Sequence, residues 1–350
     1  MIGVTGTDGK TTTSFMIYQI LQKAGYKTAV ISTVGAYIGN NVMDIGFHVT
    51  TPSAFALQRY LRKAVREGIT HCVLEATSHA LDQNRTAGIH FHVGVLTNIT
   101  HEHLDYHKTY AAYVRAKTIL FYHSDVSILN ADDQSYTLVK KALGRRVVYS
   151  YGKPLPFTTN LEGEYNQYNA SAAGLAALEV GVPRKTIEEA LKHITPPKGR
   201  QETVYKSAFT VIIDFAHTPN AFHALLPELK RKTKGKLIHV FGCAGQRDKS
   251  KRPLMGRESS RWADIVILTA EDPRDETVES ICHDIAAGST KPVEVIPDRK
   301  NAINAAIAMA KKGDTVVITG KSHEKSMNYG SGEEPWDEYE AVKQAIVKKG

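Results

Sequence analysis

A chain of 350 residues, 42% hydrophobic and 23% charged, has enough apolar material for two globular domains, and its ordinary composition excludes a largely disordered protein. No stretch approaches the ~20 apolar residues of a membrane span, and the start MIGVTGTDGK is a glycine-rich loop unlike a secretory leader, so a cytoplasmic protein without membrane contact is expected. The formal charge of +8 comes from 44 basic residues interleaved with 36 acidic ones, a spread that argues against nucleic-acid binding and suits a basic cleft for nucleotides and other anions. Residues 2–4 read as a truncated strand, 10–24 as a helix, 28–32 as a strand and 53–67 as a helix. Strands at 71–75 and 93–97 end in polar residues, and 110–121, 126–130 and 166–180 continue as helix, strand and alanine-rich helix. That alternation predicts a parallel-rich sheet covered by helices, with ligands at the carboxyl ends of its strands.

Pro196 and Pro197 in TPPKGR end a helical pattern and predict a domain boundary, giving domains 1–197 and 198–350. Beyond it, strand-like runs at 209–214, 236–242, 265–269, 293–296 and 315–319 alternate with helical stretches such as 221–230 and 300–311. A second, smaller α/β domain of Rossmann-like type follows. Cys72, Cys243 and Cys282 are odd in number and lack short paired spacing, which argues against a disulfide framework and a cysteine metal cage.

The strongest chemical signal is IGVTGTDGKTTT at 2–13, a strand, three glycines and then a lysine and threonines opening a helix. Such a loop cradles phosphate: Gly6, Thr7, Asp8 and Gly9 bring backbone amides to ATP oxygens, Lys10 neutralises them, and Thr11 and Thr12 offer hydroxyls, Thr11 to magnesium. The spacing departs from the usual P-loop because Val4 stands where the first glycine falls. The second constellation is LEATSHALDQNR at 74–85 followed by TNITHEHLDYH at 97–107. Glu75, at a strand end beside the nucleotide site, can hold magnesium directly or through water. Of His101, His103 and His107, His103 is the candidate further ligand, although histidines in a polar loop are more often solvated or capping residues.

These segments, in this order and through nearly the whole chain, resemble the Mur ligases of peptidoglycan synthesis, and within them the branch that adds the third amino acid to a UDP-N-acetylmuramoyl-dipeptide. The resemblance implies an ADP-forming acid–amino-acid ligase using ATP and Mg2+, with a P-loop ATPase-type central domain. It implies magnesium at Thr11, Glu75 and His103, and at Lys117 of YVRAKTILF, the lysine carbamylated in the family. GEYNQYNASAA places Asn166 and Asn169 near the adenine; KGRQE places Arg200 near the phosphates, and IIDFAHTPNA places Asp214 at the ribose with His217 close by. Catalytic roles then fall to Lys10, His103, Lys117 and Arg200. Thr50 and Thr51 of TTPS, with Thr77, Gln83 and Arg85, match contacts to an anionic muramoyl-peptide acceptor. FGCAGQRDKSKRPLMG, AEDPRDE and GKSHE resemble the segments around a free amino acid, implying Asp272, Arg274, Gly320 and Glu324 as its contacts.

Glu271-Asp272 stands where diaminopimelate-adding members have Asp-Asn, so an amino-acid pocket one charge more acidic is expected and the added amino acid stays open. The chain begins at the phosphate loop; the domain that grips uridine nucleotide in the family is not within it, and a partner supplying that domain is one expectation. Two other readings stand beside the first. One keeps the chemistry on a folylpolyglutamate, poly-γ-glutamate or cyanophycin-type acceptor, and the other is a non-catalytic nucleotide-binding partner subunit.

Overall fold

The computed structural model describes residues 1–46, 50–100 and 102–350. They form two compact units, Met1–Pro197 and Lys198–Gly350. The division falls directly after two prolines, which lack a backbone donor and disfavour helix in the preceding residue.

The first unit opens with β1 (Ile2–Thr5), α1 (Lys10–Lys23), β2 (Thr28–Ser32), β3 (Gly35–Ile38), β4 (Asn41–Met43), α2 (Ala54–Arg66), β5 (His71–Glu75) and α3 (Ser78–Asp82). It continues with β6 (Phe91–Leu96), α4 (Leu104–His107), α5 (Tyr110–Tyr122), β7 (Ser124–Asn130), α6 (Tyr136–Leu143), β8 (Val147–Tyr151), α7 (Glu164–Glu179) and α8 (Arg184–Leu191). One sheet runs in the order β4-β3-β2-β5-β1-β6-β7-β8. From β2 to β8 its strands are parallel, while β3 and β4 fold back antiparallel at one edge. β1, β2 and β5 are buried almost throughout, because helices cover both faces of a parallel sheet. On one face Met16, Ile17, Ile20 and Leu21 of α1 pack with Ala172, Ala173 and Ala176 of α7. On the other, Tyr113, Leu120 and Phe121 of α5 pack with Leu57, Leu74 and Leu129. The chain leaves β1 toward β2 on one side and returns to β6 on the other, so the crevice of this switch point opens at the end of β1.

The second unit contains β9 (Glu202–Lys206), β10 (Thr210–Asp214), α9 (Pro219–Lys232), β11 (Leu237–Phe241), α10 (Lys251–Trp262), β12 (Ile265–Leu268) and α11 (Val278–Ala286). After these come β13 (Glu294–Val295), α12 (Arg299–Met309), β14 (Thr315–Thr319), the hairpin β15 (Ser326–Asn328) and β16 (Glu333–Pro335), and α13 (Glu338–Lys349). Its sheet has the order β13-β12-β11-β14-β10-β9, parallel except for β9. Arg299 and Glu338, both fully buried, pair at 2.6 Å, and the same guanidinium donates to the carbonyls of Ala270 and Thr319. One cation therefore fixes α12, α13 and the two loops leaving β12 and β14.

The elements expected from periodicity are present with ends displaced by at most two residues. Those the pattern does not announce have recognisable reasons. β4 and β8 are short, mostly exposed edge strands, and α10 carries Pro253 and Gly256 inside a highly charged segment.

Candidate active site

The loop between β1 and α1 is strapped to the end of β6. Thr7 donates its amide to the Asn98 carbonyl at 2.8 Å, Asp8 donates its amide to the Asn98 side chain at 2.9 Å, and Thr97 donates its hydroxyl to the Asp8 carbonyl at 2.6 Å. Gly9 caps α1 with φ 81°, a left-handed conformation that glycine adopts without steric cost. No side chain caps this helix end, so its first-turn amides and the positive end of its dipole are available to an anion. Lys10 folds over the loop, its ammonium donating to the Thr7 carbonyl at 2.8 Å. Thr13 donates to Asn169 at 3.2 Å and Asn169 to Asn166 at 3.3 Å, so both candidate adenine-side amides on α7 adjoin the first turns of α1.

Glu75 ends β5 with its carboxylate buried. It accepts from the Thr11 hydroxyl at 3.1 and 3.2 Å and from the Thr33 amide and hydroxyl at 3.1 and 3.2 Å. Its own carbonyl accepts from Thr51 at 2.9 Å, and the Thr51 oxygen in turn accepts the Thr77 amide at 3.0 Å. Thr50 joins the same network through Thr33 at 3.2 Å. Arg85 donates to the Thr51 carbonyl at 3.0 Å and to Gln83 at 2.6 and 3.0 Å. All five residues expected on the acceptor side therefore lie in one network that begins at Glu75. Thr51 is 1% exposed and its hydroxyl is committed internally, so its side chain organises Thr77 and presents no free group to a ligand.

Lys117 is a buried residue of α5, where the helix pattern alone suits a surface lysine. Its Nζ donates to the Gly6 carbonyl at 2.6 Å and lies 4.6 Å from the Tyr113 ring centre. Burial, reinforced by the nearby Lys10 charge, holds its pKa well below the usual lysine value. His103, at φ 55°, has its pKa pulled down to about 3 by burial, with the Glu102 carboxylate opposing and the His79, Lys117 and Lys10 charges adding. Its imidazole is thus neutral at physiological pH, the form that binds metals. His101 lies outside the described residues.

In the second unit, Asp214 accepts from the amides of Gln201 and Ala216 at 2.6 and 2.7 Å, and burial raises its pKa. Arg200 lies 4.4 Å from the Phe215 ring centre, and that ring also contacts His217. Arg200, Asp214 and His217 therefore form one group at the ends of β9 and β10. A second group surrounds Lys321, which is fully buried. Its Nζ contacts both Asp272 oxygens at 2.8 and 3.0 Å and Glu324 at 2.7 Å. Lys321 therefore faces two carboxylates, its one positive charge shared between Asp272 and Glu324. Arg274 donates to the Gly245 carbonyl beside it, and a second guanidinium, Arg247, lowers its pKa after burial itself. Gly320 has φ 104°, and a Cβ there would lie 2.1 Å from a Glu271 oxygen.

Asn98, Thr33, Glu102, Tyr113 and Lys321 were not singled out by sequence. Lys321 sits inside GKSHE, and that segment was its one signal in the sequence.

A profile of the Mur ligase middle domain matches residues 4–154, and one of the Mur ligase glutamate ligase domain matches residues 199–322. The UDP-N-acetylmuramoyl-L-alanyl-D-glutamate–2,6-diaminopimelate ligase of Aquifex aeolicus is 40% identical over 100% of this chain and 78% of its own length. The chain belongs to the Mur ligase family. The ligase of the same name from Clostridium botulinum is 37% identical over 99% of this chain and 77% of its own. A solved structure of a 2,6-diaminopimelate ligase of this kind has a TM-score of 0.64 at 31% identity, covering 99% of this chain and 78% of that one. As a Mur ligase the protein is an ATP-dependent, amide-bond-forming enzyme of the magnesium-using kind.

The residues fit that requirement. Thr11 and Glu75 supply hard oxygen donors within about a hydrogen bond of each other at an uncapped helix N-terminus. Among the described residues no group of three or more His, Cys, Asp or Glu side chains could hold a metal by itself. Magnesium does not need one, since it commonly takes one or two protein oxygens and completes its shell with waters and nucleotide phosphates. No helix among the described residues is long and apolar enough to cross a membrane.

Proposed function

We propose that this Mur ligase joins 2,6-diaminopimelate to a carboxylate of UDP-N-acetylmuramoyl-L-alanyl-D-glutamate, the pair of substrates for which its relatives are named. The observation that carries the reading is the double role of Glu75. Its carboxylate meets Thr11 of the phosphate loop and its carbonyl meets Thr51 of the acceptor network, so one residue holds both reactant sites in register.

Lys10 and the first-turn amides of α1 neutralise ATP oxygens, Asn166 and Asn169 orient the base side, and Arg200, whose guanidinium lies against the Phe215 ring, adds a planar donor for phosphate. Thr11, Glu75, His103 and Lys117 hold magnesium, which supplies charge neutralisation at the phosphoryl oxygens. Lys117 serves as its carbamate: the neutral amine adds to CO2, a C–N bond forms, one proton leaves, and a buried anion replaces a group that burial makes a poor cation. Thr77, Gln83 and Arg85 orient the acceptor carboxylate. That oxygen takes the γ-phosphoryl as ADP leaves, and the amine of the amino acid then attacks the acyl carbon, losing one proton and expelling phosphate.

For the amino acid, Arg274 and Arg247 suit a distal carboxylate. Asp272, Gly320 and Glu324 hold the amino-bearing end. The test is phosphate release from ATP with UDP-N-acetylmuramoyl-L-Ala-D-Glu, screened across meso-diaminopimelate, lysine and other amino acids, with the product weighed by mass spectrometry. Release triggered by diaminopimelate, with a product heavier by one such residue, is expected. Release only with lysine overturns the amino-acid assignment, and release only with a folate or polyglutamate acceptor overturns the acceptor.

A further inference from the structure

We propose that His79 is the positioning residue for His103: its ring fixes the orientation of the His103 imidazole and couples it to the proposed acceptor residue Gln83. The inference rests on the reading of His103 as a magnesium contact.

His103 has an unusual local situation. It occupies the left-handed region at φ 55° and caps the four-residue helix α4 without a side-chain hydrogen bond to it. That helix offers only Leu104 to His107 to brace it, so the direction of the ring must be set from elsewhere. The contacts that set it are aromatic. His79 of α3 meets His103 edge-on, ring centres 4.7 Å apart at 90°, while Tyr113 is more distant at 6.1 Å. An edge-to-face pair at this distance restricts both rings and lies within the range where such pairs add to burial.

His79 is itself held by further rings. Tyr106 lies 4.3 Å away at 42° and His107 lies 5.5 Å away at 59°. His107 is anchored in turn to the Ser78 hydroxyl at 3.0 Å, so α3 and α4 grip one another through the residues on either side of the contact. Tyr106 extends the chain to the acceptor network. Its hydroxyl donates to Asp82 at 2.8 Å and accepts from the Gln83 amide at 3.4 Å. Gln83, His79 and Glu75 recur at four-residue intervals through the end of β5 and α3. One short segment therefore supplies the metal-side carboxylate, the wedge and the acceptor contact.

A ring that orients a metal ligand changes metal affinity when removed, typically by about 10- to 100-fold for groups behind the first ligands. A phenyl ring of similar size keeps the edge contact. The test is Mn2+ titration by electron paramagnetic resonance of the protein bound to a non-hydrolysable ATP analogue, with melting temperature as a control for folding. His79→Ala and His79→Leu are expected to weaken Mn2+ binding about tenfold, and His79→Phe to stay within about twofold of the parent. In a His103→Ala background, His79→Ala is expected to weaken it no further. Unchanged Mn2+ affinity in His79→Ala and His79→Leu, with His103→Ala defective, overturns the inference and leaves the metal reading standing. Multiplying effects in the double variant also overturn it. Unchanged affinity in His103→Ala removes the metal reading and this inference with it.

Discussion

At the scale of single residues, the site is built from groups whose surroundings contradict their ordinary chemistry. Lys117 is a lysine in a buried pocket with another lysine nearby, and its folded pKa lies well below the ordinary value. Between the folded and unfolded pKa values the unfolded chain binds the extra proton, so stability rises with pH through that window. Replacing Lys117 by Met removes this dependence. The stability of the variant relative to the parent should be most favourable near pH 7 and decline as pH approaches 10, as measured by urea unfolding. A difference that is flat or grows with pH would show that the buried lysine is charged. Residue identities of this kind were only partly legible in advance: the helical pattern around Lys117 reads as surface, and only likeness to a family singles it out. The contact between Asp272 and Lys321 was not legible for a related reason, since Lys321 comes from a different loop.

At the scale of elements, the phosphate loop shows how a short sequence acts through its neighbours. Gly9 is required twice over: its φ of 81° disfavours any side chain, and a Cβ would lie 2.3 Å from the Asn169 oxygen on α7. Gly9→Ala is expected to cost about 1–3 kcal/mol of local strain and to weaken nucleotide binding, read by calorimetric titration of an ATP analogue. Normal affinity in a folded variant would mean that the loop has another conformation in solution. The glycine pattern made this loop visible in the sequence, together with the strand before it and the helix after it. Its straps were not visible, because Thr97 and Asn98 come from the loop after β6, about 90 residues further on.

At the scale of the whole molecule, each unit carries its own core, with apolar clusters on both faces of its sheet. In the second unit Arg299 and Glu338 are fully buried partners, and removing one leaves the other uncompensated. Arg299→Ala is expected to destabilise this unit by about 3–5 kcal/mol. Scanning calorimetry should show one transition lowered and the other retained; a uniform shift would mean that the units melt as one. The same guanidinium holds the carbonyls of Ala270 and Thr319, so loss of amino-acid binding is expected before loss of ATP binding.

The alternation of apolar runs and helical periods determined the α/β class, nearly all of the buried strands and the place where the chain divides, because those features depend on local spacing and on proline. The glycine loop with its lysine and threonines marked the place proposed for phosphate. Tertiary structure alone decided that Glu75 joins Thr11 of the glycine loop to Thr51, that Lys117 is buried, that Asp272 meets Lys321 and that His79 lies against His103. Each of these is a contact between residues brought together by sheet order or by packing, and burial, which sets their charge states, is a property of the folded surroundings and not of the residue.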